Sequence, residues 1–224
     1  IFNEARPDIT VTGETLGFND YFTKLTTQIA GGSTADVFTL GHGSLLEYVD
    51  RGVAVPLDEY VGGALDVSGL DDSQLQAGSL NGKLYGISMG ANAHAGMYNA
   101  RVYEEAGLKA GEDFDPLTWT FDDLERVGKI IVEKTGVAGT EDATASWQYF
   151  FNFVLQHGVT MYNDDGSFGP SPELVAEYFE TWKRLREAGV TPDAQVTAGL
   201  IGSDLSQSGI VTGRAATQFS WSNQ

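Results

Sequence analysis

The stretch ADVFTLGHGSLLEYVDRG, residues 35–52, decides how the chain reads. ADVFTL is a short apolar run suited to a buried strand, GHGS follows as a loop, and SLLEYVDRG reads as a helix with Ser44 as N-cap and Gly52 as stop. Upstream the same alternation holds. ITVTG, residues 9–13, alternates apolar residues with threonine, a strand signal. Asn19 or Asp20 then stands where a cap is needed for a helix in which Tyr21, Leu25 and Ile29 recur at four-residue spacing, closed by Gly31 and Gly32. Strands alternating with helices predict a parallel sheet with crossover helices. Ligands of such sheets bind outside the carboxyl ends of the strands, so Gly41, His42, Gly43 and Ser44 form a candidate contact loop.

Downstream, GKLYGIS (82–88) predicts a strand, and GANAHAGMYNA (90–100) predicts another ending at Tyr98. A helix over 101–106 stops at Gly107, and the polar stretch 111–117 with Pro116 is a loop. Thr120 and Asp123 form a capping box ahead of a helix with Phe121, Leu124, Val127 and Ile131 on its apolar face and Gly136 at its end. A small, polar stretch, 139–146, leads into a helix carrying Trp147, Phe151, Val154 and Leu155, which ends at Gly158. NDDG, residues 163–166, predicts a hairpin turn. Ser171 and Pro172 open a helix with Leu174, Tyr178, Trp182 and Leu185 in phase, closed by Gly189. A last helix near 203–212 precedes a strand in FSWSNQ, residues 219–224. The change from alternation to a helix-rich half predicts two lobes, 1–92 and 93–224, with the boundary near 90–99.

Composition narrows the function. With 224 residues, 42% of them hydrophobic, the chain is long enough for a substantial core in one large domain or two small ones. A formal charge of -18, from 31 acidic against 13 basic residues, repels phosphate backbones and anionic lipid and argues against nucleic acid as a partner. Absence of cysteine removes disulfides, thiolate nucleophiles and cysteine metal sites. No apolar run approaches the roughly 18 residues of a membrane helix, and no basic-then-apolar leader opens the sequence. GxSxG, P-loop, HExxH and dinucleotide fingerprints are all missing. His42, His94 and His157 have no partners at ligand spacing, and NDDG lacks the spacing and downstream Glu of a calcium loop. No metal and no cofactor is therefore expected. An acid and base pair of the glycosidase kind stays open among 31 acids.

The aromatic residues carry more information. Trp182 lies mid-helix in phase with Tyr178 and Leu185 and reads as core, and His157 stands where an imidazole satisfies helix-terminal carbonyls. Trp119, Trp147 and Trp221 sit near loops or element ends beside small polar residues. FSWSNQ has two readings: a strand with Phe219 and Trp221 facing the core, or an indole flanked by Ser222, Asn223 and Gln224 as a recognition surface. A sugar presents C–H bonds on a ring face and hydroxyls at its edge, and such a guest needs aromatic planes with Asn, Gln, Ser and His groups.

The order of motifs then carries a resemblance. Tyr21-x-x-Lys24-Leu25, IAGGSTADV, EYVDRG-x-x-x-PLDEY, GKLYGISMGANAHAGMYN, EEAGL, TWTFDDL, QHGVTMYNDDG and VTGRAATQFSWSNQ follow one another nearly end to end. This set resembles extracellular solute-binding protein family 1, the sugar-binding proteins of carbohydrate ABC importers. The resemblance implies an α/β, two-lobe periplasmic-binding-protein-like fold of type II, incomplete at both ends, with a first lobe crossing at 90–98. It also implies a non-catalytic, monomeric receptor outside the cytoplasm, lipid-anchored in its full-length form, that holds a mono- or oligosaccharide between its lobes and meets the membrane permease subunits. Carried over by position, the ligand contacts are His42, Gly43 and Ser44, Asn92 and His94, Trp147 and Trp221, Asn223, and more loosely Phe18 and Asn19. Ser88 in place of a common Pro, and Ala100–Arg101 in place of Lys-Asp, depart from the pattern. The rival readings are a same-fold binder of a non-sugar solute, a carbohydrate hydrolase, and a surface interaction protein.

Overall fold

A computed structural model describes residues 2–163 and 165–223, and the chain divides into two compact units, Ile1–Ala91 and Asn92–Gln224. Asp164 of the NDDG turn and Gln224 lie outside the described residues.

The first unit holds helices α1 (Phe2–Ala5), α2 (Phe18–Ala30), α3 (Leu45–Asp50) and α4 (Asp72–Ala77), and a hairpin of β1 (Ser79–Leu80) and β2 (Lys83–Leu84). The hairpin pairs Ser79 with Leu84 and Leu80 with Lys83. Its two-residue turn, Asn81 at φ 51° and Gly82 at φ 74°, has the left-handed geometry that matches strand twist. GKLYGIS thus contributes a two-residue strand and not a seven-residue one. Helix α2 begins two or three residues earlier than a cap at Asn19 or Asp20 predicts, with Gly17 as N-cap and Asn19 and Asp20 inside the first turn. There the Asp20 carboxylate complements the helix dipole in place of capping it. Ser44 does precede α3, but a short 3-10 turn, His42–Ser44, holds it in a helical conformation and its side chain caps nothing.

The two upstream strands do not form. ITVTG is irregular and exposed, and ADVFTL is irregular with Val37 at 89% exposure and only Phe38 and Leu40 half-buried. A strand read from alternation needs a partner ladder, and a parallel partner comes from far along the chain. Among the described residues none lies beside either segment. In its absence Tyr21 takes the place of a neighbour: its Oη donates to Thr39 O at 3.0 Å and accepts from Thr39 N at 2.9 Å.

The second unit is organised by β3 (His94–Tyr98) and β4 (Thr217–Trp221), antiparallel in the register His94 to Trp221 through Tyr98 to Thr217. All named strands pair antiparallel, and among the described residues parallel pairing is confined to isolated bridges such as Ala138 with Ala215. Around this ladder stand α5 (Ala100–Glu105), α6 (Phe121–Thr135), α7 (Trp147–Gln156), α8 (Pro172–Glu187), α9 (Ala194–Leu200) and α10 (Gly209–Thr212). The predicted boundaries of α6 and α8 hold because their signals are local, the Thr120–Asp123 capping box, Gly136 at φ 72° and Ser171 capping Leu174 N, while α5, capped by Asn99, begins and ends one residue before the predicted 101–106. The helix expected at 203–212 is interrupted, since Ser208 is extended at ψ 154° and divides a 3-10 turn from α10. Helix α9 escaped the sequence reading, although Asp193 before it and Gly202 at φ 75° after it are ordinary stop and start residues.

Two apolar clusters meet on α6. Val127 and Ile131 pack with Val102, Tyr103, Leu108, Phe114 and Ala216, while Leu124 packs with Phe153, Tyr178, Trp182 and Leu185. Trp182 is 0% exposed, as its phase predicts, and Trp119 is partly buried against both clusters. Gly128 allows α6 to approach closely, since a Cβ there would stand 2.3 Å from Val190 Cγ1. Behind the helices, Asp142 is buried and accepts from Arg186 Nη1 at 2.7 Å, and the same nitrogen reaches Thr144 Oγ1 at 2.7 Å.

Candidate functional site

The ladder's geometry assembles the site. Gly96 faces Phe219 across the strands, and a Cβ at Gly96 would lie 3.1 Å from Phe219 Cε1, so glycine lets this ring lie over β3. Phe219 then reaches Tyr149 of α7, edge to face at 4.5 Å between centroids. Ser146 caps α7 by accepting from Tyr149 N at 3.3 Å, which sets Tyr149 in the first turn and Asn152 three residues on, along the same face.

His94 lies in the middle of this group. Its register partner Trp221 is edge to face with it at 5.3 Å, Tyr149 stands at 5.7 Å, and Asn152 Nδ2 lies 2.9 Å from His94 Nδ1. Burial lowers the pKa of His94, which favours the neutral ring. Burial also holds the Tyr149 phenol well above its ordinary value. Beyond the ladder's end the two strands stay joined: Ala93 N donates to Ser222 Oγ at 3.1 Å and Ser222 N to Ala93 O at 2.8 Å. Asn92 and Asn223, both exposed, lie one residue beyond this joined pair, before β3 and after β4.

Four of the residues singled out by sequence, Asn92, His94, Trp221 and Asn223, therefore come together at one end of β3 and β4. Trp147 heads α7 with 65% exposure, two residues before Tyr149, and makes no ring contact with that group among the described residues. Gly43 and Ser44 belong to the other unit, on its 3-10 turn. The side chains of His42, Phe18 and Asn19 lie outside the described residues. His157 does what its position predicts, with Nδ1 2.8 Å from Phe153 O. Tyr149 and Asn152 were missed. The run WQYFFNFV holds two carboxamides, Gln148 and Asn152, among apolar residues on every side; the buried face of α7 carries Phe153 and Val154, in place of the predicted phase through Phe151 and Leu155.

A concavity of about 310 Å³ is lined by Glu141, Asp142, Ser146, Gln148, Ser203 and Arg214 among others. Glu141 has a raised pKa through burial and accepts from Gly209 N at the start of α10. An acid with a raised pKa beside a second carboxylate is the arrangement glycoside hydrolysis uses. Asp142, however, is held by Arg186 and Thr144, and Glu141 is occupied by a backbone donor. Among the described residues no group of three or more His, Asp or Glu side chains is placed to hold a metal ion, and no helix is long and apolar enough to cross a membrane.

Comparison with known proteins bears on this geometry. The ABC substrate-binding protein Lmo0181 from Listeria monocytogenes, solved in complex with cycloalternan, is 28% identical with a TM-score of 0.82, covering 98% of this chain and 56% of its own. A periplasmic oligogalacturonide binding protein from Yersinia enterocolitica, in complex with saturated digalacturonic acid, is 27% identical with a TM-score of 0.78, covering 98% of this chain and 54% of its own. An arabinooligosaccharide-binding protein from Halalkalibacterium halodurans is 26% identical over 172 residues, 74% of this chain and 37% of that protein. The chain thus spans about half the length of these solved relatives. Its fold is that of the type II periplasmic binding proteins, with mixed helix and strand. The model of the bacterial extracellular solute-binding proteins matches residues 2–224, and the chain belongs to that family.

Proposed function

We propose that the protein is a non-catalytic, extracytoplasmic receptor for a sugar or oligosaccharide, which it delivers to the membrane permease of an ABC importer. The observation that carries this reading is the group at the end of β3 and β4: indole, imidazole and phenol rings beside three carboxamides, Asn92, Asn152 and Asn223, without a charged side chain among them. Ring faces suit the C–H faces of a sugar and amides suit its hydroxyls. The cycloalternan and digalacturonic acid in the two solved relatives support the ligand class. Trp147, exposed at the head of α7, is a further proposed contact, as are His42, Gly43, Ser44, Phe18 and Asn19 from the segment 1–92. Capture by closure of two lobes, 1–92 and 93–224, follows from the family resemblance: a ligand shifts such an equilibrium only by what it gains in the closed state.

Isothermal titration of the full-length protein against a panel of oligosaccharides tests the reading. Saturable binding without turnover of a reducing-end-labelled ligand is expected. Release of labelled product would favour the hydrolase, and binding of a non-sugar solute alone would favour the other rival.

A further inference from the structure

The contact between Asn152 and His94 determines more than position. Asn152 presents its Nδ2 to His94 Nδ1 at 2.9 Å. An amide nitrogen only donates, so the ring nitrogen facing it accepts and carries no proton. In a neutral imidazole the proton then sits on Nε2. Nε2 has no hydrogen-bond partner among the described residues. Trp182 Nε1 is the only buried side-chain nitrogen or oxygen left without a partner there, so the Nε2 edge of His94 reaches solvent. An imidazole held on one side by an amide and flanked by Trp221 and Tyr149 thus keeps a donor edge open to a ligand.

We propose that Asn152 is a positioning residue that locks His94 in the tautomer carrying its proton on Nε2, and that this edge donates to an oxygen of an uncharged sugar. The inference rests on the sugar-binding reading for its ligand and on the geometry alone for its tautomer. Charge selects between sugar classes. A uronate would call for a cation, and among the described residues from 92 onward every Lys and Arg is engaged with an acidic side chain, Arg214 acting on Glu141 while it donates to Gln207 O. The rings and amides around His94 offer dipoles instead. Preference for neutral oligosaccharides over oligogalacturonides follows, opposite to what the Yersinia relative holds.

The test begins on the ligand-free protein with nitrogen-15-labelled histidine, His94 being assigned by the loss of its signals in His94→Gln. Long-range proton–nitrogen correlation is expected to give one tautomer with the proton on Nε2. Asn152→Asp, whose carboxylate only accepts, is expected to move the proton to Nδ1 or to protonate both nitrogens, while thermal unfolding checks that the variant folds. A wild-type ring with its proton on Nδ1, or a mixture of tautomers, overturns the lock without reference to any variant. Titration with maltotetraose and with tetragalacturonate follows. The neutral sugar is expected to shift Nε2 and to bind Asn152→Ala about tenfold more weakly, the scale of one misdirected hydrogen bond. A locked tautomer with tighter binding of tetragalacturonate overturns the neutral-sugar half of the proposal, and a locked tautomer with no response to any sugar overturns the sugar-binding reading itself.

Discussion

Trp221→Ala separates recognition from folding. Trp221 closes β4 opposite His94, and its ring meets the imidazole edge to face at 5.3 Å. It belongs to neither buried cluster and keeps part of its surface in solvent. The ladder's backbone hydrogen bonds do not depend on the indole, and the aromatic pair with His94 that truncation removes contributes about 0.5–1.5 kcal/mol of stability beyond the area it buries. That is well short of the roughly 3–5 kcal/mol expected for a core indole such as Trp182. Binding suffers more. An aromatic anchor at the centre of a site contributes about 2 kcal/mol or more, which converts to roughly a 30-fold weaker Kd. Calorimetric titration of both proteins with the tightest-binding oligosaccharide reads this directly, with circular dichroism confirming the fold. Unchanged affinity in a folded variant would remove Trp221 from the site, and loss of fold would return it to the core.

Three further outcomes follow from packing and charge. Arg186→Ala leaves the Asp142 carboxylate, 1% exposed, without its cation and should cost about 3–5 kcal/mol in urea unfolding; a loss below 1 kcal/mol would show that Thr144 and water suffice. Gly128→Ala drives a methyl to 2.3 Å from Val190 Cγ1 and should cost about 1–3 kcal/mol, with Val190→Ala in the same chain restoring part of it. His94 has a folded-state pKa below its ordinary 6.5, so the unfolded chain binds the proton more readily. Its contribution to stability is complete above the unfolded value and is lost as pH falls through the folded one. Substituting His94→Gln should therefore flatten the stability profile below about pH 6.5, and an unchanged slope would contradict the lowered pKa.

What the sequence disclosed follows the range of the interactions involved. Helices α6 and α8 were legible to the residue because Thr120 with Asp123, and Ser171 with Pro172, act within one turn. ADVFTL and ITVTG carry an equally plain strand pattern, but a pattern names a face and not a partner, and among the described residues neither pairs as a strand. His94 and Trp221 were each picked out alone. Their meeting depends on a register that joins Ala93 to Ser222, 129 positions away, which no local signal encodes. Asn152 was invisible for a different reason. The aromatic run around it offers apolar residues on every side of α7, so period alone does not say which side is buried.

The central claim is that a sugar rests against the imidazole and indole at the end of β3 and β4. Following the His94 ring and the Trp221 indole N–H by NMR during titration with neutral oligosaccharides addresses it most directly. Both resonances should move and saturate together with one Kd, equal to the calorimetric value. Saturable sugar binding that leaves both unmoved would place the ligand elsewhere and contradict the account.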